Sequence, residues 1–217
     1  MLTQNYRLGC RGQLPYVNFA KNDEIAIMSC CLTSYVEALR VISAQQKAVL
    51  ESYFQPIKMA EGEALFEGGK ACNLLFFICK GVLKIHSTNE RGVDVIHYFY
   101  KENQFCTILD SFNEGRFTEV KIQAACDAEV LQISKLKLYA LYDRLPFMKD
   151  IVDRAMQQGL LEKVRLRNCF LGQEAADQYK LFVAQRPEIA LRVSVKDIAS
   201  FLGITPQSLS RIRKQDK

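Results

Sequence analysis

The spacing of apolar residues along the chain changes twice. Over residues 32–54 apolar side chains recur at helical intervals (Leu32, Val36, Leu39, then Val49, Leu50, Phe54), with a break near Ser43 that predicts the cap of a second helix. Over residues 57–133 this gives way to short runs of β-branched and aromatic residues, which predict strands at 64–66, 74–79, 82–87, 93–100, 121–125 and 128–133. Turn signals lie between them: Glu61-Gly62, Gly68-Gly69, Lys80-Gly81, Asn89-Glu90-Arg91-Gly92 and Asn113-Glu114-Gly115. Many short strands in succession predict an antiparallel sandwich or barrel.

From about residue 135 the period is helical again. Met148, Ile151, Val152, Ala155, Met156, Gly159 and Leu160 form an apolar stripe on one long helix that runs on through Leu161 and Val164. Such a stripe packs on the β unit or pairs with its twin in a homodimer, and its length favours the twin. A further helix is expected over residues 173–185, then a break at Arg186-Pro187 and two last helical segments. Residues 1–27 show neither period and are expected to be a loosely held extension. The expected units are therefore 1–27, a helical lead and β-roll over 28–136, a dimerisation helix and linker over 137–170, and a C-terminal helical unit over 171–217.

That last unit contains the most specific signal, VKDIASFLGITPQSLSRIRK over residues 195–214. Ser194 followed three residues later by Asp197 predicts a capping box at the start of one helix. Ile198, Ala199 and Leu202 supply its inner face, and Gly203 stands where the chain must turn. Thr205 is placed to cap the next helix, Pro206 suits its first position, and Leu209 and Ile212 face inward. This is the pattern of a helix-turn-helix. The outward face then carries Gln207, Ser208, Ser210, Arg211, Arg213 and Lys214, side chains suited to base edges and phosphate oxygens. An αα-hairpin with a solvated polar face has the same pattern.

Charge favours the first reading. The chain carries +5 overall: residues 1–143 hold 15 basic and 16 acidic side chains, and residues 144–217 hold 14 and 8, so the surplus sits beside the helix-turn-helix. The eight cysteines include no C-x-x-C, the only histidines are His86 and His97, and no metal or cofactor is implied. Cys79 and Cys126 lie in apolar runs and read as reduced, structural thiols. The N-terminus has no apolar core of a signal peptide, so a cytoplasmic protein is expected, with no membrane partner. No hydrolase, phosphate-loop or zinc-protease motif is present, and the reading is that of a protein without enzymatic activity.

The order of helical lead, β-roll, long helix and C-terminal helix-turn-helix resembles the CRP/FNR family of bacterial transcription regulators. EGEALFEGGKACNLLFFICKGVLKI and FCTILDSFNEGRFTEVKIQAACDAEVLQIS resemble the family's β-roll segments, and TPQSLSRIRK its recognition helix. The resemblance covers about residues 32–214 and implies an α+β fold: an antiparallel cyclic-nucleotide-binding-like jelly roll, a long dimerisation helix and a helical helix-turn-helix domain. It also implies a homodimer reading a pseudo-palindrome in double-stranded DNA, and it admits RNA polymerase as a further partner. Gln207 and Arg211 fall at the base-reading places, and Thr205 and Ser208 at the backbone-contacting ones, with Arg213 and Lys214 beside them. Pro206 stands where the cyclic-AMP-responsive relative has an Arg.

At the effector site the resemblance breaks down. The Gly-Glu pair for ribose and the Arg-Ser or Arg-Thr pair for cyclic phosphate are replaced by Thr107 and Ile108, and by Thr118 and Glu119. Ile108 cannot accept a ribose hydroxyl and Glu119 reverses the charge, so cyclic AMP is not expected and any small-molecule effector is unidentified. Arg116 is the nearby candidate for a replacement cation. The iron-sulfur branch's cysteine cluster is missing, and His86 and His97 read as exposed polar strand residues. No hairpin is visible over residues 187–194, so the wing beside the helix-turn-helix is expected to be reduced. The competing class is a β-roll small-molecule sensor or protein-interaction scaffold that does not bind DNA.

Overall fold

The computed structural model describes residues 31–215. The extension expected at residues 1–27 lies outside the described residues. Helix α1 (31–37) and α2 (Ala44–Tyr53) come first. Ser43 caps α2 as expected: its hydroxyl accepts from the Gln46 N–H at 3.2 Å, and the Gln46 side chain accepts from the Ser43 N–H at 2.8 Å.

The β region then runs through β1 (Gln55–Met59), β2 (Ala64–Phe66), β3 (Lys70–Ala71), β4 (Leu74–Lys80), β5 (Leu83–Thr88), β6 (Asp94–Tyr100), β7 (Phe105–Cys106), the short helix α3 (Leu109–Glu114), β8 (Phe117–Thr118), β9 (Lys121–Ala124) and β10 (Ala128–Ser134). Two four-stranded antiparallel sheets result, in the orders β1-β10-β4-β7 and β2-β9-β5-β6, with β3 and β8 as a separate pair. All six expected strands are present. Those missed have physical reasons: β1 carries Pro56 and Lys58 on a sheet margin, where proline is tolerated, and β3, β7 and β8 are too short to show a period.

Helices follow: α4 (Lys135–Arg144), α5 (Phe147–Phe170), α6 (Ala175–Gln185), α7 (Pro187–Ala190), α8 (Val195–Phe201) and α9 (Pro206–Gln215). Residues 187–190 are the helix α7, so no hairpin flanks the helix-turn-helix.

Three apolar cores hold these parts together. In the first, α1, α2, α4 and the start of α5 cover one face of β4 and β10, through Val36, Leu50, Phe77, Leu131, Leu141 and Met148. The second fills the roll between the sheets, with Phe76, Ile78, Leu83, Tyr98, Tyr100 and Val130. The third joins the outer face of β6 to the C-terminal helices, with Ile96, Phe99, Phe182, Ile198, Leu202 and Leu209. Strand β4 is thus buried on both faces, which explains why LLFFIC reads as a continuous apolar run rather than an alternation.

One expectation is corrected here. Met148, Ile151 and Val152 are buried in the chain's own first core, and Ala155 and Met156 pack against it. The first half of the α5 stripe therefore covers the β-roll and is not free to meet a twin. What α5 leaves outward is Leu160, Leu161 and Val164, each 44–49% exposed.

Gly81 makes the tight turn between β4 and β5 at φ +92°, and a Cβ there would lie 2.4 Å from the Asp127 carbonyl oxygen. Gly92 also has positive φ (+74°) but open space around it. Gly81→Ala should therefore cost about 2 kcal/mol or more, and Gly92→Ala about 1 kcal/mol, in urea unfolding. Equal losses would show that the close approach at Gly81 relaxes without cost.

Candidate nucleic-acid interface and β-roll interior

The turn between α8 and α9 is built as its residues require. Gly203 takes φ +69°, and Thr205 Oγ1 accepts from the Ser208 N–H at 3.1 Å, capping α9 ahead of Pro206. Leu209 is fully buried and Ile212 half-buried, which turns the opposite side of α9 to solvent. Gln207, Ser210, Arg211 and Lys214 line one shallow open groove on that side, together with Pro206. Arg213 is exposed on the flank, and the Ser208 hydroxyl lies 3.0 Å from Thr205 Oγ1, so these two hydroxyls serve the cap. No acidic side chain occurs in α9.

The cap of α8 differs from expectation. Ser194 Oγ accepts from the Asp197 N–H at 3.0 Å, but the Asp197 carboxylate does not return to the Ser194 backbone. It receives both hydrogen bonds of Lys84 on β5 instead, at 2.9 and 3.0 Å. Asp197 is a bridge between the helix-turn-helix and the roll, and only half of the capping box exists.

The four positions read as a degenerate effector site are engaged in different ways. Thr107 is buried and donates to the Leu74 carbonyl at 2.8 Å. Ile108 is half-buried against the roll's core, at the start of α3. Thr118 accepts from the Val120 N–H at 3.1 Å, and Glu119 is exposed. Arg116, the candidate replacement cation, is exposed and paired with Glu114 at 2.5 Å and Asp110 at 3.5 Å.

Lys163, on α5, approaches the roll's aromatic side chains, a cation that sequence reasoning missed. Its ammonium lies 4.9 and 4.6 Å from the ring centres of Tyr98 and Tyr100, and burial lowers its pKa. The two rings meet edge to face at 5.0 Å, and burial raises both phenol pKa values. Tyr98 accepts a hydrogen bond from Arg186, which also lies 3.8 Å from Glu162. The only available sequence signal was the alternation of Tyr98 and Tyr100 toward the roll's interior; the lysine comes from a helix more than sixty residues away in sequence.

The histidines also need correction. His97 is exposed, as expected, with its Nε2 2.8 Å from Ser87 Oγ. His86 is buried, and neither ring nitrogen has a hydrogen-bond partner among the described residues. Asp94 Oδ1 is 3.6 Å away, too far for a hydrogen bond. Of the cysteines, Cys72 and Cys106 are fully buried, Cys79 and Cys126 half-buried and Cys169 exposed.

Burial lowers the His86 pKa below 6.5; Lys84 and Lys121 push in the same direction, while Asp94 and Asp197 oppose them. The unfolded imidazole takes up a proton as pH falls through 6.5 and the folded one resists, so the contribution to stability is full above that value and declines below it. Unfolding measured at about pH 7.5 and about pH 5.5 should show lower stability at the acid value, with a smaller drop in His86→Gln. An unchanged drop in that variant would remove His86 from the account.

Residues 56–144 match the model of the cyclic nucleotide-binding domain. In structure the chain is similar to CLP, a c-di-GMP-responsive global regulator of Xanthomonas campestris, at 15% identity and a TM-score of 0.63, over 80% of this chain and 91% of that one. It is also similar to FixK2 from Bradyrhizobium japonicum, at 19% identity and a TM-score of 0.59, over 75% and 83%. A CRP/FNR-family transcriptional regulator from Thermus thermophilus aligns at 12% identity and a TM-score of 0.60, over 74% and 84%. A search of curated protein sequences finds no match. Among the described residues no helix is long and apolar enough to cross a membrane. By sequence, residues 56–144 are thus similar to the cyclic nucleotide-binding domain, and the chain has the fold of these solved regulators.

Proposed function

We propose that this protein is a DNA-binding transcription regulator that reads a pseudo-palindromic site as a homodimer. The observation that carries the reading is the outward face of α9, where Gln207, Ser210, Arg211 and Lys214 share one open groove behind a capped helix-turn-helix. Gln207 and Arg211 lie one helical turn apart, a spacing at which both reach base edges of a major groove. Lys214 and Arg213 supply phosphate contacts at the far end, and Ser208 and Thr205 lie at the near end with their hydroxyls already engaged in the cap.

The homodimer rests on the outer side of α5. Gln157, Leu161, Val164 and Asn168 are all exposed and follow one another at intervals of four and three residues, the 3.5-residue period of a coiled-coil seam. A parallel twin covers this seam and sets Asn168 against Asn168, a polar contact that fixes register. The seam lies opposite the face that the chain's own β-roll occupies, so both can be buried at once.

Cyclic AMP is not the effector this reading expects, because Ile108 offers no acceptor for a ribose hydroxyl and the exposed Glu119 carries the wrong charge for a phosphate.

The test is selection from random duplexes by the purified protein, followed by titration of variants on the enriched site. Arg211→Ala should lose about 1–3 kcal/mol on the selected site and relax preference at one base position. Lys214→Ala should weaken all sequences alike and reduce the salt slope by about one. A protein that enriches no motif is the scaffold of the competing reading. For the dimer, Leu161→Glu with Val164→Glu should halve the sedimenting mass while leaving the circular dichroism spectrum intact, and an unchanged mass would place the interface elsewhere.

A further inference from the structure

The C-terminal helices do not hang from the end of α5. They are fastened to the margin of the β-roll at named atoms. Strand β6 is the outermost strand of its sheet, and Ser200 of α8 occupies its open side: Ser200 Oγ donates to the Asp94 carbonyl at 2.6 Å and accepts from the Ile96 N–H at 3.2 Å. One turn earlier on α8, Asp197 takes both hydrogen bonds from Lys84 on the neighbouring β5, and both side chains are about seven-eighths buried. These polar contacts flank the apolar packing of Ile198 and Ala199. Because α9 packs on α8, whatever fixes α8 against the sheet also fixes the direction in which the face of α9 points.

We propose that Asp197, Ser200 and Lys84 are positioning residues that set the half-site spacing at which the protein reads DNA. This rests on the reading of α9 as a DNA-recognition helix. The physical argument is a division of work between two kinds of contact. Apolar packing of Phe99, Phe182 and Phe201 supplies non-directional attraction and tolerates small pivots of α8 on the sheet. The hydrogen bonds do not tolerate them, since each has a fixed partner at under 3.3 Å and a mispaired buried carboxylate is costly. The docked arrangement leaves the groove of Gln207, Ser210, Arg211 and Lys214 open, so docking presents the recognition face rather than covering it. In a dimer a pivot of each α8 moves the two recognition faces apart or together, and an operator of one spacing then loses its advantage over the next.

The experiment uses the full chain and a set of duplexes carrying the selected half-sites at spacings altered by one or two base pairs, with a single half-site as control. The wild type should prefer one spacing by about tenfold or more. Asp197→Lys and Ser200→Ala should flatten that preference to about threefold or less, with the single half-site bound as tightly as before. Lys84→Asp should do the same, and the double variant Lys84→Asp with Asp197→Lys should recover the preference, which a merely damaged fold would not. Hydrogen exchange at the Ile96 amide should accelerate in Ser200→Ala without DNA present. Spacing preferences that are identical in the wild type and Asp197→Lys would overturn this proposal alone. If the wild type binds no DNA, the reading of α9 fails first, and this proposal falls with it.

Discussion

A strand at the margin of a sheet leaves a row of N–H and C=O groups without strand partners, and in this molecule β6 is such a strand. Its outer side is covered by α8, whose Ser200 hydroxyl both donates and accepts there as another strand would. The constraint reaches further than one hydroxyl. With α8 fixed on β6, Phe99 and Ile96 on the outer face of that strand become the floor of a core roofed by Phe182, Ile189, Ile198 and Leu209. The helices that follow α5 bury Phe182, Ile189, Ile198 and Leu209 in this core. Around it stand three charged ties: Lys84 to Asp197, Arg192 to Glu102, and Lys101 to Glu188. Ion pairs of this kind add little net stability once desolvation is counted, but they select one arrangement among several that an apolar floor would accept.

Inside the roll, aromatic side chains draw in a cation from α5. Two tyrosines meet edge to face, and a lysine from α5 lays its ammonium against both rings. A cation over aromatic faces is held by their quadrupoles and needs no anion. The phenols stay neutral because burial raises their pKa values, and Tyr98 has its hydroxyl satisfied by Arg186.

The parts legible in the sequence are those governed by local rules. Six strands, the cap at Ser43, the turn at Gly203 and the cap at Thr205 follow from spacing and turn chemistry, and they stand where the spacing puts them. What could not be read depends on what a side chain meets across the fold. Ser194 and Asp197 have capping-box spacing, yet Lys84, 113 residues earlier than Asp197, claims the carboxylate. The strand histidines look alike in sequence, but His97 is exposed while His86 is buried without a hydrogen-bond partner among the described residues. Periodicity also gave one stripe on α5 and could not say which surface it meets. The roll takes the first half of that stripe, while Leu160, Leu161 and Val164 in its second half stay exposed.

Helix α5 therefore carries two unlike jobs along one rod of 24 residues, about 36 Å long at the usual rise. Met148, Ile151 and Val152 belong to the first core, Leu166 to the second, and Phe170 packs against both the second and the third. No other element reaches all three. A helix clamped at three depths moves as a rod, so a change in the roll that displaced Lys163 or Leu166 would be felt at Phe170, against Phe201 at the end of α8. The ties at Lys84 and Ser200 grip the same α8 from the sheet. The position of the helix-turn-helix is thus set from two sides, by the rod that leads into it and by the sheet margin beneath it. A shift of one relative to the other is the structural change by which the roll would alter the presentation of α9.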